Sequence, residues 1–212
     1  MPTDPSAEGA ARQLLPAHSL AEAYLYVTVQ HCPECGQGPL KVRGTISEQI
    51  DGKPCLTMPT RCGSCGQVRE LLFRVLEEDD DTPAEPAETA RRLINATDWP
   101  SEIIDVAEWL TLYRMNASAA ERAANRMERL ELQIEAAQCL EEALKFYEPD
   151  SELPPEEAFF SPRTRRRLRD HPEQYLRQSL VDKLAGLPRA QASREEAPGA
   201  RVGPKRWWQW WR

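Results

Sequence analysis

Two pairs of cysteines are the residues of this 212-residue chain whose types and spacing point most directly to chemistry. Each pair has the form Cys-x-x-Cys, and 26 residues separate the pairs. Two thiolates three positions apart can bind one metal ion if the chain between them turns tightly, and the glycines Gly36 and Gly66 after each pair suit such turns. Four thiolates in a tetrahedron favour Zn²⁺ and leave no position for a substrate water. The sequence therefore predicts one structural Zn²⁺ with the ligands Cys32, Cys35, Cys62 and Cys65.

The pattern of the two cysteine pairs resembles the zinc ribbon, in which two such turns clamp one zinc ion beneath a small antiparallel sheet. The resemblance covers about a quarter of the chain, from Tyr24 to Val75, and it implies a fold and a metal but almost nothing about function. Alternating side chains over 24–29 predict a first strand, and Asp51-Gly52 predicts a tight hairpin turn. The other predicted strands lie near 40–46, 55–60 and 67–75.

Composition and charge limit the function classes. The formal net charge is −7, from 27 Lys and Arg against 34 Asp and Glu, which disfavours a protein that coats nucleic acid. No secretory signal and no apolar stretch of the ~20 residues that a bilayer needs is visible, so we expect a cytoplasmic protein with reduced thiols. The chain has no phosphate-binding glycine loop, no nucleophile elbow and only three histidines. We therefore predict no catalytic residue and no small-molecule substrate.

The pattern of the whole chain predicts an α+β fold: a small antiparallel zinc-ribbon sheet, then a separate α-helical domain, with disordered termini. Fourteen residues, 77–90, carry seven acids and no base, which is typical of a solvated spacer. The predicted boundaries are a disordered lead-in over 1–20, the ribbon over 21–76, the acidic linker over 77–90, the helical domain over 91–188 and a flexible tail over 189–212.

Within the helical domain, apolar spacing after Pro100 predicts one helix, and Asn116 or Ser118 is the expected cap of a longer helix that ends near Tyr147. Ser161-Pro162 predicts the start of an arginine-rich helix, and Gly186 the end of the last helix. Cys55 and Cys139 are expected to be small buried residues rather than ligands.

Two basic segments are candidate contact sites. The first is a run of arginines, for which we favour salt bridges within the chain or to an acidic partner over phosphate contacts; its members are Arg163, Arg165, Arg166, Arg167 and Arg169. The second is the tail, where tryptophan and arginine combine as they do in protein-binding hot spots and at membrane interfaces. Its candidate docking residues are Arg206, Trp207, Trp208, Trp210, Trp211 and Arg212. The tail could dock on a partner, bind a membrane surface or pack on its own helical domain.

Our leading hypothesis is a non-enzymatic adaptor with a structural zinc ion, a helical interaction domain and a docking tail, whose partner is a protein. One alternative is a nucleic-acid-associated regulator that uses the ribbon and the arginine run. Another is association with a membrane surface through the tail. An enzyme based on the helix-borne carboxylates of Glu128, Glu131 and Glu135 is disfavoured, because no histidine motif accompanies them.

Overall fold

The computed structural model describes residues 13–75 and 94–189. These residues form one five-stranded sheet and five α-helices, so the predicted α+β class is confirmed. The predicted acidic linker, the first twelve residues of the lead-in and the tail after Arg189 lie outside the described residues. In chain order the elements are β1 (Leu14–Ala17), α1 (Leu20–Val29), β2 (Leu40–Val42), β3 (Ile46–Ile50), β4 (Lys53–Cys62), β5 (Val68–Val75), α2 (Val106–Glu121), α3 (Arg126–Leu144), α4 (Pro162–Asp170) and α5 (Arg177–Ala185), with 3-10 turns at Glu156–Ala158 and Pro172–Tyr175.

The sheet is built around the long strand β4. This strand pairs antiparallel with β5 on one side and with β2 and β3, at different points of its length, on the other. Asp51 and Gly52 both have positive φ, 53° and 73°, as a tight hairpin turn between β3 and β4 requires. The strands predicted over 40–75 and their hairpin turn are therefore confirmed, although the region 40–46 divides between β2 and β3.

A fifth strand comes from the segment that we expected to be a lead-in without regular structure. Strand β1 pairs parallel with β5, and Leu14 lies opposite Leu72. Leu15 and Ala17 are buried on one face. The expectation for residues 14–20 was wrong because four residues are too few to establish a period, and a parallel edge strand depends on a partner far along the chain.

The strand predicted over 24–29 was also wrong, since these residues belong to helix α1. The Ser19 side chain accepts a hydrogen bond from the backbone N–H of Glu22, which caps the helix. Ala23 and Val27, four positions apart, are both buried, so the helix has a packed face. The aromatic and β-branched residues of this segment imitate a strand pattern, but capping and tertiary packing outweigh their β propensity.

Helices α2 and α3 pack against each other and carry much of the core. Asp105 caps α2, and its other carboxylate oxygen accepts from the Phe160 N–H at 3.0 Å, so one buried side chain fixes two segments. The predicted cap at Asn116 or Ser118 was wrong, because both residues lie inside α2. The break comes later, where Asn125 caps α3 by accepting from the Glu128 N–H. The other boundaries of the helical region agree well: Ser161 caps α4, and Gly186 follows α5.

Helix α1 contacts both the sheet and the helical region. The buried apolar cluster runs from Val27 and Phe73 through Trp109 to Phe159 without a break. At the C-terminal end of α1, the Gln30 amide donates to Glu108 of α2 at 3.0 Å. At its N-terminal end, the Ser19 hydroxyl donates to the Ile94 carbonyl at 2.6 Å. The division into two domains stays a prediction.

Candidate metal centre

The four predicted ligands come from two turns at the same end of the sheet. The first cysteine turn, residues 32–37, connects α1 to β2. The second cysteine turn, residues 62–67, connects β4 to β5. Because Leu40 pairs with Cys62, strand β2 brings the first turn beside the second. The Gly63 N–H donates to the Pro39 carbonyl at 2.9 Å and fixes this approach.

The two turns have the same backbone geometry. In the first, the Cys32 N–H donates to the Gln37 carbonyl at 2.6 Å, and the Gly36 N–H donates to the Cys32 carbonyl at 2.8 Å. The second turn repeats both bonds: the Cys62 N–H donates to the Gln67 carbonyl at 2.9 Å, and the Gly66 N–H donates to the Cys62 carbonyl at 3.0 Å. The fifth residue of each turn is a glycine with positive φ, 66° and 76°, which L side chains rarely adopt. The equivalent residues of the second turn are Cys62, Gly66 and Gln67.

The four sulfur atoms lie at the spacing that a tetrahedral metal site requires. All four are within 4.8 Å of one another. The Sγ atoms of Cys32 and Cys65 are 3.6 Å apart, and those of Cys35 and Cys62 are 3.7 Å apart. A tetrahedron with Zn–S bonds of ~2.3 Å has sulfur–sulfur edges of ~3.8 Å. The cluster therefore fits one metal ion with four thiolate ligands, and zinc is the ion that this donor set and size favour.

The electrostatics of the cluster are set by backbone N–H groups, burial and the neighbouring sulfur atoms. Backbone N–H groups of Cys65 and Ser64 stabilise the thiolate of Cys62, and the pKa of this thiol falls to about 6. The pKa of Cys65 behaves in the opposite way: the Gln67 N–H lowers it, but burial and the three neighbouring sulfur atoms raise it to about 12. Four like-charged groups cannot ionise together at this distance without a cation, and a dipositive metal ion supplies that compensation.

Other cysteine and histidine residues do not join the cluster. Cys55 and Cys139 are buried, as predicted, at other places in the fold. His31 is exposed although it precedes a ligand. Partial burial, and then the positive charges of Arg163 and Arg167, lower its pKa. Within the described residues, the four cysteines form the one group of three or more His, Cys, Asp or Glu side chains with metal-binding spacing.

The arginine run of α4 is only partly paired within the chain. Arg166 lies 3.3 Å from Asp170, and Arg169 lies 3.7 Å from Glu156. The Arg165 side chain donates to the Phe159 carbonyl at 2.9 Å. Arg163 and Arg167, four positions apart, have no ion pair within 13–75 and 94–189. Their charges act on His31, so this face of α4 lies near the first cysteine turn.

Sequence reasoning missed a buried polar cluster at the other end of α1. The Glu22 side chain is 0% exposed, and His18 donates to it both from the backbone and from the ring. The bond to Glu22 raises the pKa of His18 despite the opposing effect of burial. Nearby, the Lys145 ammonium group donates a hydrogen bond to the Glu142 carboxylate of α3 at 2.8 Å. Burial raises the pKa of Glu142 to about 7. The residues lie in two segments that are far apart in the sequence, so no local motif signals the cluster.

The helix-borne carboxylates that could have served an enzyme do not converge on a site. The Glu128 carboxylate accepts a hydrogen bond from the Ala124 N–H, just before the start of α3. Burial and then the charge of Glu131 raise the pKa of Glu135 to about 7. The tail, with its predicted docking residues, lies outside the described residues, and its predicted roles stay untested.

No protein-family model matches the chain, and searches of curated proteins and of solved structures find no match either. In the part of the chain that the structure describes, no helix combines the length and the apolar character needed to cross a bilayer.

Replacing Glu135 by Gln should remove a pH-dependent loss of stability. Between pH 4.5 and 7 the folded state keeps the Glu135 proton that the unfolded chain releases, so stability falls as pH rises through this window. We expect Glu135→Gln to match the parent at pH 4, below the unfolded-state pKa, and to exceed it at pH 8 by up to about 3 kcal/mol, at ~1.4 kcal/mol per pKa unit.

Urea unfolding at the two pH values measures this difference. Glu121→Gln, an exposed substitution at the end of α2, is the matched control. The interpretation is wrong if both variants change in the same way with pH.

Proposed function

We propose that the chain is a non-enzymatic cytoplasmic adaptor whose sheet is a zinc ribbon stabilised by one structural Zn²⁺. The observation that carries the proposal is the spacing of the four sulfur atoms, which fit one tetrahedral ion. Since all four ligands come from the protein, a bound Zn²⁺ has no open position for a substrate. The metal therefore serves to hold the two cysteine turns together.

The fold departs from the simplest ribbon in one respect that bears on the proposal. Helix α1, and not a strand, leads into the first cysteine turn. The metal then fixes the end of a helix that also packs on α2 through Gln30 and Glu108. A structural ion at this position stabilises both the sheet and the contact surface between the sheet and the helical region.

The adaptor part of the proposal rests on the tail. Four tryptophans and three basic residues lie within 204–212, and this segment contains no acid. Large aromatic side chains and arginine supply much of the binding energy at protein interfaces. We assign the tail the role of the segment that docks on a partner protein.

Metal analysis of purified protein tests the zinc site. We expect one zinc per chain, and loss of that zinc in Cys32→Ser and in Cys62→Ser, because three thiolates close the site poorly. The sheet should lose cooperative unfolding in both variants, since a module of this size has a small apolar core. Cys55→Ala, a substitution of a buried cysteine outside the cluster, should keep the zinc. Full zinc occupancy in the two serine variants would contradict the assignment.

Capture experiments test the docking role of the tail. The full chain should capture a defined set of proteins from a cell extract, and a chain with Trp207, Trp208, Trp210 and Trp211 replaced by Ala should lose them. Anionic vesicles provide the second arm, because tryptophan and arginine also suit headgroup regions. Co-sedimentation of the parent, but not the alanine variant, with no loss of captured proteins would favour membrane association instead.

A second candidate function, binding to a nucleic acid, is supported by one observation: Arg163 and Arg167 lie near the first cysteine turn and have no ion pair among the described residues. Phosphate contacts by two arginines would weaken as salt rises. We expect Arg163→Ala with Arg167→Ala to abolish any gel shift of an oligonucleotide at low salt. Arg122→Ala, at the C-terminal end of α2, is the control. No shift for the parent chain at low salt would exclude this candidate.

A further inference from the structure

A groove lined by aromatic and proline side chains lies on the helical region, and no metal-ligand cysteine lines it. Its volume is about 490 Å³, within the ~300–1,000 Å³ range of ligand sites. Three segments meet there: the loop before α2, the end of α3 and the loop before α4. The residues that matter for the argument are Pro100, Glu102, Phe146, Pro155, Glu157 and Phe160.

The walls of the groove expose apolar surface on rigid supports. The rings of Phe146 and Phe160 are 6.2 Å apart, and Phe160 remains 41% exposed. Trp99, next to the groove residue Pro100, is 76% exposed. Its backbone is held in place, because the Asn95 amide donates to the Trp99 carbonyl at 2.8 Å. An exposed indole on a fixed turn beside an apolar groove indicates a surface built for contact.

The rim of the groove is acidic. Glu102 and Glu157 are both exposed, while Lys145, the cation among the described residues that line the groove, is already engaged. Its ammonium group donates to Glu142 at 2.8 Å and to the carbonyls of Asn95 and Thr97 at 3.3 and 2.6 Å. An occupant that offers aromatic rings together with positive charge therefore fits both the walls and the rim.

We propose that the groove binds the chain's own C-terminal segment, Pro204–Arg212. This segment contains four tryptophans, Lys205, Arg206 and Arg212, and its charge is opposite to that of the rim. The proposal rests on the docking role proposed for the tail and adds a resting site for it within the same molecule. A partner protein must then compete with the groove for the tryptophans.

The tail is long enough to reach the groove. The Arg177 N–H at the start of α5 donates to the Glu152 carbonyl at 2.9 Å, so α5 begins beside the loop that contains Pro155. Along α5 and the adjoining residues, Arg189 is at most about 40 Å from that loop. The 18 positions from Arg189 to Trp207 span up to about 60 Å when extended.

The test uses the indole N–H resonances of the full-length protein, labelled with ¹⁵N. Six tryptophans give six indole signals, and the four of the tail should be dispersed and protected if the tail is bound. Phe160→Ser should move those four signals to random-coil positions, because it removes one wall. Met127→Ser, at a residue of similar exposure (44%) on α3, should leave them unchanged. The buried Trp109 signal reports in each variant that the fold is intact.

A reciprocal measurement completes the test. Replacing the four tail tryptophans by Ala should shift the Trp99 indole signal, because Trp99 directly precedes the groove residue Pro100. Random-coil signals for the tail in the parent protein would overturn the proposal while leaving the partner-docking role open. Release of the tail upon dilution would also overturn it, since the groove would then hold the tail of a second copy. If only the capture experiment fails, the partner-docking role of the tail is contradicted, and the proposal that the groove binds the tail stands.

Discussion

Four sulfur atoms within 4.8 Å of one another are the arrangement on which the rest of the sheet depends. Thiolates at this distance repel, and thiols that share protons among themselves hold the turns only weakly. One dipositive ion bound to all four sulfur atoms would reverse this balance and leave a net charge of about −2 at the site. The ends of α1 and β4 and the starts of β2 and β5 all lie within a few residues of a ligand. Such an ion would cross-link the four elements, in addition to the buried apolar cluster that already joins them.

Helix α1 transmits this constraint to the helical region. Its C-terminal end enters the first cysteine turn, and its N-terminal end carries the buried carboxylate of Glu22 beside His18. Glu142, Lys145 and Asn95 form a second polar group nearby, and the same lysine and asparagine fix the turn that exposes Trp99. Buried charged groups stabilise a fold only when they are paired, so these bonds specify how the segments meet. The geometry of the groove wall therefore depends on a cluster of charges in the interior.

The parts of the structure that sequence could predict are those with local signals. The Cys-x-x-Cys spacing predicted the metal cluster. The pair Asp51-Gly52 predicted a hairpin turn, and the pair Ser161-Pro162 predicted the start of a helix. Helix α1 escaped prediction because Tyr24, Tyr26 and Thr28 have strand propensity, and the burial that overrides it comes from distant residues. Strand β1 was missed for a similar reason, since its partner lies 58 positions away. The groove could not be foreseen at all, because its walls come from three segments that are separate in the sequence.

The order of the ligands along the chain has a consequence for synthesis on the ribosome. Cys32 and Cys35 emerge 30 positions before Cys62 and Cys65, which is about 2–6 s of elongation. During that interval the nascent chain exposes a dithiol that has only half of its ligand set and lacks the β4–β5 hairpin that would complete it. An oxidant or a two-coordinate thiophilic ion that meets the chain in this window competes with correct metal loading. With zinc as the ligand-bound ion, the early half-site would make the yield of native protein sensitive to the zinc supply and the thiol redox state around the translating ribosome.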